Sequence, residues 1–201
     1  CDSAQPNASS LNYSYGQTIP NAVISKVAAN GTVCFYTLAA THLIVDINGY
    51  NPIGSGFVPL VPARLLETRP AGPGISTVDG RFLSAGLRSA KSTTSLQVTA
   101  RGRVPVDAAA AVLNVTVTGA TGPGFVTVYP CDASRPISSN LNFSAGQTIP
   151  NAVITKLATD GTVCLYTTAG THLVVDVTGY YPAGSGFNPL VPGRLMETRV
   201  G

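Results

Sequence analysis

The stretch AAAVLNVTVTGATGPGFVTVYPC, residues 109–131, decides the fold class. In its first part Ala111, Leu113, Val115 and Val117 alternate with Asn114, Thr116 and Thr118. A period of two puts the apolar set on one face of a strand and the polar set on the other. Gly-Pro-Gly at 122–124 then breaks the run before a second β-rich segment. Short runs of this kind recur about every ten residues along the chain, between Gly, Pro, Asn and Asp, and no window has a convincing helical period. The pattern predicts an all-β protein, a sandwich or barrel-like module. Strands are expected near 82–86, 94–100, 110–118, 124–129, 139–144, 151–158, 162–168 and 172–178. Asn30-Gly31 and Asp160-Gly161 each sit between apolar runs and predict type I′ hairpin turns.

The chain also repeats itself. LNYSYGQTIPNAVISK (11–26) lies over LNFSAGQTIPNAVITK (141–156), THLIVDINGY (41–50) over THLVVDVTGY (171–180), and VPARLLETR (61–69) over VPGRLMETR (191–199). Of the 71 residues aligned at an offset of 130, 46 are identical without a gap. The unit is therefore about 130 residues, an ordinary domain size. Its phase predicts a tandem organisation. Residues 1–56 are the C-terminal half of a preceding repeat, 57–186 a complete repeat module, and 187–201 the start of a following repeat, so that a longer array is expected.

Composition excludes several classes. The 201 residues carry only 10% charged side chains and a net charge of +3, against about 25% charged in an average domain. A nucleic-acid partner needs a dense basic stripe, and the 12 Lys and Arg are scattered. No run of about 18 apolar residues is present to span a bilayer as a helix.

Cys1, Cys34, Cys131 and Cys164 keep a spacing of 33 in both copies. The natural pairing is Cys1–Cys34 and Cys131–Cys164, each copy stapling itself. Zinc is the rival reading, but two thiolates so far apart without a CxxC or HxxxH are poor ligand spacing, and buried free thiols are the plain alternative. Disulfides imply an oxidising site, extracellular or at the cell surface.

No chemistry stands out. His42 and His172 are one position in two copies, sharing a strand face with Asp46 and Asp176, yet no nucleophile turn accompanies them. The protein is expected not to be an enzyme, and no cofactor or metal site is read. Asp176 lies inside an otherwise apolar strand, where an unpaired carboxylate is costly. It is expected to pair with Arg64 or Arg69, tying the first segment of the unit to the last; the alternative is that it faces solvent at the strand end. Eight tyrosines offer possible stacking faces for sugars.

Taken together, VPARLLETR, AAAVLNVTVTGATGPGFVTVYPC, SNLNFSAGQTIPNAV and HLVVDVTGYYP resemble a module that recurs in secreted proteins of Actinobacteria and relatives, over the whole chain. Its usual pattern is R-L-L-D-T-R, then L-N-V-T-V-T, then D-(V/I)-N-G-Y-(F/Y). Here Glu67 and Glu197 replace the Asp of the opening motif, and Thr178 replaces the Asn of the last. The resemblance implies a surface or extracellular β-module without an established activity. The functional expectation is an extracellular structural or adhesive repeat protein that assembles head to tail with copies of itself into a fibre or surface layer. The alternative is a carbohydrate- or cell-wall-binding module of a larger secreted protein, with glycans as partners.

Overall fold

The computed structural model describes residues 1–192, apart from Thr18, Pro20, Ile44, Asp46, Asn48 and Gly49. Eight strands run in chain order: β1 (Val58–Glu67), β2 (Ser92–Gln97), β3 (Ala108–Thr118), β4 (Gly124–Pro130), β5 (Leu141–Phe143), β6 (Ile149–Lys156), β7 (Thr162–Thr167) and β8 (His172–Pro182). They form two four-stranded sheets, ordered β1-β8-β3-β6 and β2-β7-β4-β5, with every pairing antiparallel. This all-β sandwich has the strand order of a jelly roll. Its core is built from the inward positions of both sheets, among them Leu65, Leu96, Leu113, Val115, Val128, Leu165, Leu173, Val175 and Val177.

Seven of the expected strands are present. The eighth, 82–86, is not a strand. Phe82 and Ser84 adopt positive φ (55° and 50°), which breaks an extended run, and Leu83 makes a single bridge to Glu67. The strand missing from the sequence reading is β1. It contains Pro59 and Pro62, which it accommodates because β1 is the edge of its sheet, where a missing N–H is tolerated. The pairing with β8 slips between Pro59 and Ala63 and again between Arg64 and Leu66.

The two Gly-containing turns also differ from expectation. Gly31 and Gly161 have positive φ (81° and 78°), while Asn30 and Asp160 do not. A type I′ turn needs both. Instead Gly161 N donates to Ala158 O (2.8 Å) and Ala158 N to Thr162 O (3.0 Å). That is a type I turn closed by a left-handed Gly, with Asp160 Oδ1 accepting from Thr162 N at 3.0 Å. Residues 28–32 repeat it, with Gly31 N to Ala28 O at 2.9 Å and Thr32 N to Asn30 Oδ1 at 3.2 Å.

All eight strands fall within residues 58–182, and the described residues of 1–56 contain none. The described residues thus form one sandwich, and those of 1–56 lie outside its sheets.

Candidate functional site

The polar residues of the repeated motifs converge on one face. Along β8 the odd positions Leu173, Val175 and Val177 belong to the core, so Val174, Asp176 and Thr178 face away from it. On β3, Leu113, Val115 and Val117 point inward, leaving Asn114 and Thr116 outward. Arg64 on β1 stands directly across from Asp176, and Asn114 on β3 from its other side. This outer face is nevertheless buried: Arg64, Glu67, Asn114, Thr116 and Asp176 are all among the buried polar residues.

An ion-pair chain organises it. Arg64 reaches Asp176 with a fork, Nε to Oδ1 at 2.9 Å and Nη2 to Oδ2 at 3.4 Å. Its Nη1 donates to Glu67 Oε2 at 3.2 Å. Arg69 does not reach Asp176 as a partner. It holds Glu67 instead, Nε to Oε1 at 2.9 Å and Nη2 to Oε2 at 2.7 Å. Of the two partners expected for Asp176, the geometry selects Arg64. Glu67, a recurrent charge given no partner from the sequence, is fully buried and bridges the two arginines.

The two carboxyls respond differently. Burial pushes Asp176 up, and this outweighs the pull of Arg64; the charge of Glu67 adds to the rise. Burial also pushes Glu67 up, but the hydrogen bonds and charge of Arg69, with Arg64 beside it, hold it below the usual carboxylate range. Two guanidinium groups face two carboxyls, so the cluster is built to join β1 to β8.

Residues of 1–56 cover part of this face. Asn114 Nδ2 donates to Ser9 O, and Asn21 Nδ2 donates to Asn114 Oδ1 at 3.3 Å and to Ser10 O at 2.6 Å. A small cavity of about 40 Å³ remains between Ser9, Asn12, Arg64, Arg69 and Thr116. Asn12 Nδ2 and Thr116 Oγ1, both buried, have no hydrogen-bond partner among the described residues. The space suits an ordered water.

The four cysteines pair as Cys1–Cys34 and Cys131–Cys164, with Cα–Cα distances of 5.1 and 4.9 Å. Cys131 follows β4 and Cys164 lies on β7, opposite Tyr129, so this bond staples two neighbouring strands. The two disulfides fit an oxidising setting.

His172 Nδ1 lies 3.0 Å from Thr68 O and 3.2 Å from Thr68 Oγ1, and Asp176 is engaged by Arg64. Among the described residues no group of three or more His, Cys, Asp or Glu is placed to hold a metal ion. No helix among them is long and apolar enough to cross a membrane. Of the sandwich tyrosines, Tyr129 is buried, Tyr166 lies under the Arg135 guanidinium at 3.8 Å, and Tyr181 packs between Phe57 and Phe187. Tyr15, Tyr36 and Tyr50, in 1–56, are exposed. Asp46, Asn48, Arg194, Glu197 and Arg199 lie outside the described residues.

A second charged cluster went unread in the sequence. Arg101, almost fully buried, binds Asp79 through Nε and Nη2, both at 2.7 Å, and donates to Leu65 O and Gln97 O, each at 2.9 Å. It also lies over the Phe82 ring at 4.9 Å. Its hydrogen bonds and charge pull Asp79 down to about 2.

No family model matches the chain, and no curated protein matches it by sequence. Among solved structures it is similar to the Tobacco streak virus coat protein. The identity is 12%, over 72% of this chain and 96% of that one, with a TM-score of 0.35.

Proposed function

We propose that this chain is an extracellular structural or adhesive repeat protein that assembles head to tail with copies of itself into a fibre or surface layer. One observation carries the reading. Val33, Phe35, Leu43, Val45 and Ile47 are 39%, 60%, 50%, 61% and 86% exposed, while their repeat-mates Val163, Leu165, Leu173, Val175 and Val177 are all at 0%. Apolar residues left exposed where a close copy of the sequence buries them mark an interaction surface. A contact between 1–56 of one copy and the 187–201 region of the next joins different parts of the molecule. Such a heterologous contact propagates unless its rotation closes a ring. Low charge and two disulfides support an extracellular material, as does the resemblance to secreted modules. The charge-balanced cluster serves as a clamp in this reading, and the protein performs no catalytic step. Glycan binding has less support, because the tyrosines of the sandwich described above are packed against other side chains.

Electron microscopy of the native chain across a concentration series tests the proposal. Filaments or sheets with a regular axial repeat are expected. A dispersed monomer at high concentration overturns it.

A further inference from the structure

Every strand pairing of the sandwich joins the first half of the unit to the second. β1 pairs with β8, β8 with β3, and β3 with β6; β2 pairs with β7, β7 with β4, and β4 with β5. No two of β5–β8 pair with each other. A segment of the 131–186 type therefore has nothing within itself to form a sheet with. Residues 1–56 are such a segment: 36 of their 56 positions are identical to those of 131–186.

We infer that residues 1–56 form a docking surface for one kind of partner, a four-stranded half-module with the sequence pattern of residues 57–130. The fit is the one that 131–186 makes within this molecule. It deepens the head-to-tail reading, and rests on that reading for where the half-module comes from. Charge is complementary: Arg64 of the first half meets Asp176 of the second, and the sequence places Asp46 at the position of Asp176. Val33, Phe35, Leu43, Val45 and Ile47 are exposed in 1–56, and the same positions in 131–186 are buried in the sandwich core.

The seat is partly built in advance. Cys1–Cys34 repeats Cys131–Cys164, the staple that lies beside the end of β4. Ala29 N donates to Asp2 Oδ2 as Thr159 N does to Asp132 Oδ2. Ser14 N donates to Gln17 Oε1 as Ser144 N does to Gln147 Oε1. Ordering these turns before the partner arrives lowers the cost of binding. Counting halves excludes simple exchange between two copies of 1–192. Each carries two second halves and one first half, so exchange uncovers as much surface as it covers. The sequence from Phe187 repeats the opening of the required half, GFNPLVPGRLMETR against GFVPLVPARLLETR.

The test adds a second copy of residues 57–130 directly ahead of Cys1 in the full chain, so that it precedes 1–56 as 57–130 precedes 131–186. Amide hydrogen exchange in 32–37 is expected to slow to the level of 162–167, with 162–167 unchanged. Exchange in 32–37 as fast as in the parent chain, with 162–167 still protected, overturns the inference. If the extended chain fails to fold, co-expressing the parent chain with the 57–130 polypeptide, so that the two halves can fold together, decides. A 1:1 complex by native mass spectrometry with new protection in 32–37 supports it. No complex, or a complex without that protection, overturns it. Filaments of the parent chain without protection in the extended one sink this inference and leave self-assembly standing; protection without filaments does the reverse.

Discussion

Residues 1–56 and 131–186 are close copies in two surroundings. Their turns agree bond for bond: the same disulfide, the same left-handed Gly, the same Asn or Asp side chain closing on the next Thr. Their strands do not. Thr162–Thr167 is a strand between β2 and β4, whereas 32–37 is irregular. The difference separates two kinds of information. Turn and staple chemistry is local and travels with the sequence. Strand structure here belongs to the pair of halves, because each β5–β8 strand takes its hydrogen bonds from β1–β4. Fully burying one Val or Leu is worth roughly 1.5–3 kcal/mol, and 131–186 has five such side chains at positions where 1–56 leaves them open.

The largest effect should come from truncating matched leucines. Leu173→Ala, at a fully buried site, is expected to cost about 4 kcal/mol of sandwich stability. Leu43→Ala should stay within about 0.5 kcal/mol. Denaturant unfolding of the two variants checks this, and equal losses would break the comparison. The disulfides should divide in the same way. Replacing Cys131 and Cys164 by Ser removes a staple between β4 and β7 and should cost about 3–4 kcal/mol by the chain-entropy model. Replacing Cys1 and Cys34 should leave the calorimetric transition of the sandwich where it was.

Arg64→Ala leaves Asp176 buried without its fork. A loss of about 3 kcal/mol is expected, with no change in the exchange rates of 28–37. A Tm equal to that of the parent would remove the ion pair from the account. The smallest effect concerns acid. The hydrogen bonds and charge of Arg101 hold the Asp79 carboxyl at about 2, below the usual carboxylate range. The depressed pKa contributes stability above the unfolded value that is lost as pH falls through the folded one. Asp79 is partly exposed, so screening limits this to about 1 kcal/mol. Asp79→Asn should therefore destabilise the sandwich at pH 7 and converge with the parent near pH 2. A difference that persists in acid would locate its cause elsewhere.

Much of this was legible from the residues. Alternation at 111–118 marked β3, and the offset of 130 exposed the repeat. A carboxylate inside HLVVDVTGY called for a buried partner because charge there is otherwise costly. Four things were not legible. β1 was hidden by prolines, since sequence alone does not say which strand will be an edge. The turns at 30–31 and 160–161 were misjudged because one left-handed residue, rather than two, closes them. Nothing local in ARGRVP marks Arg101 as buried; its burial depends on Leu65 and Asp79, far away in the chain. Beyond the tie between Arg64 and Asp176, the strand order was also invisible, because it follows from tertiary packing and not from period.

The most direct measurement is amide hydrogen exchange on the dilute, unmodified chain, comparing 32–37 with 162–167. The account predicts strong protection in 162–167 and exchange near the unprotected rate in 32–37, despite five identical residues out of six. Equal protection in both segments of a monomer would show that the second half forms its strands unaided, and would contradict it.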